Sequence, residues 1–274
     1  MDTAMNSKKT NIGGLTGNQL KIIGVILMVL DHLHQMFIER GAPSWFTMVG
    51  RVVAPIFIFL TAEGMYYTRS RKRYILQLFV GFEFMNIASA IISAIFPSDS
   101  IVLMNNIFGT LFLIALYIVF IDGLIEGIRS KRPSKIVGFA LLTLAPIASG
   151  VLFMLAQQAV IAHASQLSTE VIRLTFTALM CIPNVLTAEG GYSFVIIGVL
   201  FYYFRRWRWA QILTLAAFAV ASYFQNQGWQ WLMVFAAIPI MLYNGKRGGG
   251  SKYFFYIFYP AHIYALYIIA YYLQ

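Results

Sequence analysis

Residues 22–38, IIGVILMVLDHLHQMFI, combine an apolar run of membrane-spanning length with three ionisable side chains near its middle. A helix that crosses roughly 30 Å of hydrocarbon needs about 20 apolar residues, and this stretch is the first such block in the chain. Asp31, His32 and His34 are costly in hydrocarbon. They therefore indicate a partner side chain, a water-filled cavity or a reaction site inside a membrane domain.

The composition extends this prediction to the whole chain. Its 274 residues are 59% hydrophobic and only 11% charged, whereas soluble domains are roughly 45–50% apolar and about 25% charged. The first apolar block has no small-residue cleavage site, so we expect it to remain as a span. The sequence predicts one all-α, polytopic transmembrane helix bundle over residues 1–274, with a short cytoplasmic N-terminal segment, 1–19.

Nine apolar blocks are candidate transmembrane spans. They cover residues 20–39, 46–67, 74–96, 101–122, 136–160, 190–204, 209–225, 228–243 and 253–273. No large polar segment separates them, so the membrane bundle itself is the functional unit.

Almost all basic residues lie in five clusters between these blocks. The clusters are Lys8, Lys9 and Lys21; Arg69, Arg71, Lys72 and Arg73; Arg129, Lys131, Arg132 and Lys135; Arg205, Arg206 and Arg208; Lys246, Arg247 and Lys252. With nine spans and a cytoplasmic N-terminus, all five clusters fall on the cytoplasmic side, as the positive-inside rule requires. The net charge of +10 therefore comes mainly from basic residues in the loops between spans. Because this distribution is typical of membrane topology, we expect no nucleic-acid partner.

One apolar segment does not fit this pattern. Residues 171–187, VIRLTFTALMCIPNVLT, are apolar enough to cross, but a full crossing would move the last two basic clusters to the outside. We expect a re-entrant or interfacial segment that is interrupted at Pro183 and Asn184. The alternative is ten spans with a local violation of the charge rule.

Several ionisable residues share a depth when ~1.5 Å per residue is counted from the cytoplasmic ends of the spans. Asp31 lies ~16 Å in and His262 ~13 Å in, whereas Arg51 lies in the outer half and Glu63 only about one turn from the cytoplasmic end. These positions predict a midplane cluster of aspartate and histidine. Intramembrane ionisable groups tend to mark function, although interhelical hydrogen bonding is the alternative explanation.

Proton transfer is the chemistry open to such a cluster. A histidine can take a proton from an amine or a hydroxyl, and a carboxylate can fix its tautomer. Asp31 and His32 are adjacent and diverge by about 100° on a helix, so Asp31 either supports His32 or pairs with Arg51. Cys181 is the only cysteine, and we expect no disulfide and no metal site.

Three long motifs resemble the TraX family. They are LKIIGVILMVLDH at 20–32, VGRVVAPIFIFLTAEGMYYTRSRKRYILQL at 49–78, and LYNGKRG with KYFFYIFYPAHIYALY between 242 and 267. The prototype of that family N-acetylates a pilin subunit in conjugal transfer. The resemblance covers about the first eighty and the last thirty-five residues, whereas the middle of the chain matches poorly.

The resemblance implies an acetyltransferase that takes acetyl from cytoplasmic acetyl-CoA and passes it to an acceptor at the far side of the bacterial cytoplasmic membrane. It implies that His32 is the catalytic base with Asp31 beside it. On electrostatic grounds, Arg51 or His262 is the candidate for stabilising the oxyanion. Residues of the other matching motifs are the candidates for binding the donor: Glu63, Asn244, Lys246, Arg247 and Tyr259. The acceptor is a pilin-like peptide amine or a glycan hydroxyl.

Two other classes of protein remain open from the sequence. A proton-coupled carrier would use Asp31, Glu83 and the histidines as a proton relay. A membrane scaffold would use the same polar residues only to pack its helices. We expect acetyl-CoA to stabilise a transferase against heat and to leave a carrier unaffected.

Overall fold

A computed structural model of the protein describes residues 13–98, 100–250 and 253–273. Three lysines of the predicted basic clusters, Lys8, Lys9 and Lys252, lie outside these ranges, as does most of the predicted N-terminal segment. Within them the chain is all-helical and has no β-strand. The fold class is therefore the predicted one.

The helices follow the predicted spans in order. They are α1 (Gly17–Phe37), α2 (Trp45–Gly50), α3 (Val53–Tyr67), α4 (Arg71–Ile95), α5 (Ile107–Arg129), α6 (Pro133–Ala162), α7 (Thr169–Met180), α8 (Gly191–Tyr203), α9 (Arg208–Phe224), α10 (Ala237–Met241) and α11 (Phe254–Tyr272). Short 3₁₀ segments, Ile38–Arg40, Ala164–Gln166 and Gly228–Ala236, extend α1, follow α6 and precede α10.

Six helical segments in the described part of the chain are long and apolar enough to cross a membrane. They are Gly17–Arg40, Trp45–Tyr67, Arg71–Ile95, Ile107–Arg129, Pro133–Ala162 and Phe254–Tyr272. Gly191–Tyr203 and Gly228–Met241 are apolar but shorter. The chain is a multi-pass membrane protein, and the count of nine spans stays a prediction.

The predicted span 101–122 is displaced in the structure. Residues 101–106 are not helical, and α5 begins only at Ile107 and continues to Arg129. The start of α5 is attached to α4 because the Asn106 side-chain nitrogen donates to the Phe82 carbonyl at 3.0 Å and to Asn86 Oδ1 at 2.8 Å. Hydrophobicity alone does not reveal this anchor, which explains the error in the predicted boundary.

The loops that carry the basic clusters meet at one end of the bundle, which we name the basic end. Arg71, at the start of α4, pairs with Asp122 near the end of α5 at 2.6 Å. The guanidinium of Arg205, after α8, lies 3.6 Å from the centre of the Tyr66 ring at the end of α3. These contacts place the basic loops on one side, as the charge pattern predicts.

The loop between α10 and α11 wraps around the beginning of α1. Leu15 forms an isolated bridge with Tyr243, and the N–H of Gly17 donates to the Lys246 carbonyl at 2.8 Å. Within α1 a capping box between Thr16 and Gln19 satisfies further terminal groups. The first amides of α1 are therefore hydrogen-bonded to protein.

Helix α7 is too short to cross the bilayer alone. Its 12 residues extend ~18 Å, against roughly 30 Å of hydrocarbon. Its C-terminal end is bonded to neighbouring helices, because Asn86 donates to the Met180 carbonyl at 2.8 Å and Ser149 donates to the Pro183 carbonyl at 2.9 Å. The chain turns at that point and continues into α8, which favours the re-entrant interpretation of 171–187.

The helices at the centre of the bundle pack through close backbone approach. On α8, a Cβ at Gly198 would lie 2.4 Å from Cδ1 of Ile114 on α5, and Ile114 is fully buried. On α6, by contrast, a Cβ at Gly138 would have no atom within 4 Å. Gly198 therefore lies in a tightly packed contact, whereas Gly138 has open space around its Cα.

Gly198→Val will destabilise the bundle, whereas Gly138→Val will not. Overpacking of this kind costs about 1–3 kcal/mol, and both variants carry the same change in helix propensity. Melting curves of the two purified proteins in detergent measure the difference. Equal melting temperatures would show that α5 and α8 do not pack as described.

Candidate active site

A cavity of about 1070 Å³ follows α1 through the bundle. At the basic end it is lined by Gly17, Lys21 and Arg247, and at the opposite end by Gln35 and Ile38. The 21 residues of α1 span ~32 Å, which is about the thickness of the hydrocarbon core. The cavity therefore connects the levels of both membrane surfaces.

His32 and His262 meet within this bundle, as the sequence predicts. His32 Nδ1 lies 2.7 Å from His262 Nε2, and the two rings stack with centroids 4.9 Å apart. His262 Nδ1 lies 2.8 Å from the carbonyl oxygen of Phe258, which can only accept a proton. The bond between α1 and α11 thus joins residues 230 positions apart in the chain.

These two contacts fix the tautomers of both rings. His262 donates from Nδ1 to Phe258, so its Nε2 accepts, and His32 must donate from Nδ1. This leaves the lone pair of His32 on Nε2, which has no hydrogen-bond partner in the described residues. His32 lines the cavity and His262 does not. The arrangement presents a neutral imidazole base to whatever occupies the cavity.

Asp31 supports Arg51 rather than His32. Nη2 of Arg51 donates to both carboxylate oxygens of Asp31, at 2.8 and 3.1 Å, and to Thr47 Oγ1 at 2.9 Å. The break between α2 and α3 places Arg51 there, and Gly50 allows the approach because a Cβ at that position would lie 2.4 Å from Asp31. The ion pair left open by the sequence is therefore present, and His262 takes the orienting position beside His32.

Tyr259 lies between the histidine pair and the start of α5. Its hydroxyl accepts a hydrogen bond from the Ile107 N–H at 3.1 Å, and its ring meets that of His32 edge to face at 6.4 Å. Because that bond uses the hydroxyl oxygen as acceptor, the hydroxyl group can still donate its own proton in a further hydrogen bond. Tyr259 lines the cavity near its middle, so it lies beside the histidine pair rather than in the loop at the basic end.

The residues predicted to bind the donor divide into two groups. The side chain of Arg247 lines the cavity, together with Lys21 of α1. Asn244 and Lys246 do not line it: Asn244 donates to the Gly14 carbonyl at 3.0 Å and accepts from the Lys246 N–H at 2.9 Å. These two residues shape the loop that holds the beginning of α1.

Glu63 lines the cavity nearer the basic end. It is buried, at 7% exposure, on the inner face of α3. Arg205 and Arg208 interact electrostatically with it, and Arg208 also lies 4.7 Å from the centre of the Phe59 ring. Glu63 therefore places a carboxyl group near two arginines in the half of the cavity that is nearer the basic end.

Two cavity residues near Arg51 are absent from the predicted site. Gln230, in the 3₁₀ segment before α10, accepts from Arg51 Nη1 at 3.5 Å. Glu189 lies in the loop between α7 and α8, and its carbonyl accepts from Thr110 Oγ1 at 2.7 Å. A carboxylate directly before the Gly190–Gly191 pair is the one sequence signal that marks this loop.

The fold and the site define a multi-pass membrane protein with a buried histidine pair in a cavity along its first helix. The family model described as "TraX protein" matches residues 16–143 and 134–270, and the chain belongs to the TraX family. The membership predicted from the three motifs is thus confirmed.

A curated relative covers nearly the full length. The chain is 28% identical over 275 aligned positions, 89% of this chain and 91% of the relative, to a probable fimbrial assembly protein, FimC of serogroup H1, from Dichelobacter nodosus. No solved structure matches the chain.

Asp31→Ala will destabilise the protein more than the double variant Asp31→Ala/Arg51→Met. The single change leaves the Arg51 guanidinium without its partner, while the double change removes both charges. Because the two side chains are 21% and 31% exposed, we expect a difference of about 1–2 kcal/mol. Denaturation in detergent measures it, and a double variant that is no more stable than Asp31→Ala would contradict the prediction.

Proposed function

We propose that the protein is a membrane-embedded acetyltransferase that moves acetyl from acetyl-CoA at the basic end to an acceptor at the opposite end. The observation that carries the proposal is the unpaired Nε2 of His32 in a cavity that extends along the whole of α1. Family membership supports it, because the TraX family is linked to pilin acetylation.

The basic end is the donor side. By the positive-inside rule it faces the cytoplasm of a bacterial inner membrane, where acetyl-CoA is made. Coenzyme A carries several phosphates, and Lys21 and Arg247 are the cations that line the cavity there. The first amides of α1 already donate to Lys246 and Arg247, so side chains rather than the helix terminus bind the phosphates. The pantetheine arm then lies along α1 with its thioester at His32.

Acyl transfer at His32 needs one proton to move. The acceptor amine or hydroxyl attacks the thioester carbonyl, and its proton passes to His32 Nε2. The carbon–sulfur bond then breaks, and the imidazolium returns that proton to the thiolate of CoA. Arg51 lines the cavity with a free donor on Nη1 that can stabilise the oxyanion. Both nitrogens of His262 are engaged, so Arg51 is the better candidate for that role.

His262 acts on His32 as a positioning residue. It holds the His32 ring by accepting from Nδ1, as the carboxylate does in a catalytic triad. A neutral histidine stabilises an imidazolium less than a carboxylate would. The base is therefore held neutral and ready to accept a proton.

The acceptor is a pilin-like peptide. The name of the Dichelobacter nodosus relative refers to fimbrial assembly, and the prototype of the family modifies a pilin. Both favour a peptide amine over a glycan hydroxyl. The acceptor enters from the end lined by Gln35 and Ile38.

His32→Ala will abolish acetyl transfer and leave the protein folded, because the imidazole is the base that takes the proton of the attacking group at the thioester. Transfer of labelled acetyl to peptide amines by the purified protein measures this. His34→Ala is the matched control, since His34 also lines the cavity but bonds the Ala42 carbonyl at 3.1 Å. Transfer retained by His32→Ala would remove this histidine from the mechanism.

Acetyl-CoA will raise the melting temperature of the detergent-solubilised protein, because it binds only the folded state. Arg247→Ala will weaken that stabilisation, whereas Arg132→Ala, in a basic loop away from the cavity, will not. No response to acetyl-CoA, together with proton flux through the protein in liposomes, would favour the carrier instead.

A further inference from the structure

Glu189 is an ionisable residue of the cavity that the mechanism above does not use. It lines the same cavity as His32 and Arg51. Its Oε2 is shielded from solvent and has no hydrogen-bond partner; in the described residues, Oδ1 of Asn106 is the only other buried side-chain atom in that state. A buried acceptor without a donor is costly, so this atom fits a ligand that brings N–H groups.

The backbone around Glu189 is held firmly in place. Oδ1 of Asn184 accepts from the N–H groups of Leu186 and Thr187, at 3.0 and 2.9 Å. Thr110 bonds the Glu189 carbonyl, and Gly190 follows with a φ of +72°, a conformation that favours glycine. The loop therefore presents the carboxyl in a fixed position, as a binding group must be presented.

The charged groups near the carboxyl are Asp31 of α1 and Arg51, between α2 and α3. Burial and the Asp31 carboxylate raise the pKa of Glu189 to about 7, while Arg51 and the backbone N–H of Asn106 oppose that shift. Tyr259 of α11 is the remaining titratable neighbour, and it also contacts the ring of His32. The carboxyl can thus change protonation state near neutral pH.

An amine acceptor presents a problem that His32 alone does not solve. An α-amino group has a pKa of about 8, so it arrives as an ammonium without a lone pair. One proton must leave before the nitrogen can attack, and a second leaves during attack. His32 takes the second proton and transfers it to the thiolate, so another group must take the first proton.

We propose that Glu189 binds the ammonium group of the acceptor and takes its first proton. This inference rests on the acetyltransferase function proposed above. The carboxylate accepts a proton from R–NH3⁺ to give Glu189–COOH and R–NH2. The free amine forms the carbon–nitrogen bond, its next proton passes through His32 to the sulfur, and the carbon–sulfur bond breaks. Glu189 then loses its proton to water at the opposite end, so one proton is released per acetyl group transferred.

Glu189→Gln is the direct test, with Glu83→Gln as its matched control. Glu83 is another half-buried glutamate of the bundle, beside Cys181 and outside the cavity. We expect Glu189→Gln to lower kcat/KM for a peptide amine about tenfold at pH 7, because only about a tenth of an amine with a pKa of about 8 is unprotonated there. Its activity should recover only as pH rises through the pKa of the amine, about 8, whereas wild type and Glu83→Gln should rise through about 7.

The possible outcomes distinguish a failure of the Glu189 proposal from a failure of the acetyltransferase proposal. If wild type transfers acetyl and Glu189→Gln matches it in rate and pH profile, Glu189 has no such role. If wild type transfers acetyl to no amine, the acetyltransferase proposal itself fails. Stabilisation by acetyl-CoA should be equal in wild type and Glu189→Gln, because the donor binds at the other end of the cavity.

A measurement on wild type alone keeps the proposal testable if Glu189→Gln does not fold. The test compares the affinity of a peptide with a terminal amine and of the same peptide with a hydroxyl in its place. At pH 7.5 the hydroxyl peptide should bind at least about tenfold more weakly, a difference of about 1.4 kcal/mol. That advantage of the amine should vanish well below pH 7, where Glu189 is protonated. Equal affinity of the two peptides at pH 7.5 would overturn the proposal.

Discussion

The hydrogen bond between His32 and His262 is the contact on which the rest of the site depends. It joins α1 and α11 inside the bundle and holds the His32 ring at the wall of the cavity. It also fixes the tautomer of His32, because the bond of His262 to the Phe258 carbonyl leaves only Nε2 of His32 open to the cavity. One backbone carbonyl on α11 thus determines which nitrogen on α1 is basic.

Around this bond the cavity separates two kinds of charge. Lys21 and Arg247 line the basic end, where the proposed anionic donor would bind. At the other end, Asp31 and Glu189 outnumber Arg51, so that region suits a cationic group. His32 lies between the two regions. The same cavity can therefore receive two substrates of opposite charge from opposite directions and bring them together at one imidazole.

The sequence was sufficient for those features that hydrophobicity and charge control directly. Block lengths and basic clusters predicted the helices and the common basic end, and the three motifs predicted the family. The proximity of His32 and His262 followed from counting residues along the spans. Features that depend on individual hydrogen bonds were not predictable: the start of α5 at Ile107 depends on the Asn106 side chain, and Glu189 enters the cavity through an irregular loop without periodicity.

The loop between α10 and α11 is joined to α1 by main-chain hydrogen bonds at Leu15, Gly17 and Asn18. An α-helix is stiff along its axis, so the loop cannot shift without carrying the helix with it. His32 lies 15 residues beyond Gly17, or ~22 Å along the same rod. If CoA binding displaced this loop, the displacement would therefore also move the imidazole of His32. In the proposed transferase, this rigid connection would couple binding of the donor at one face of the bilayer to the position of the base inside it.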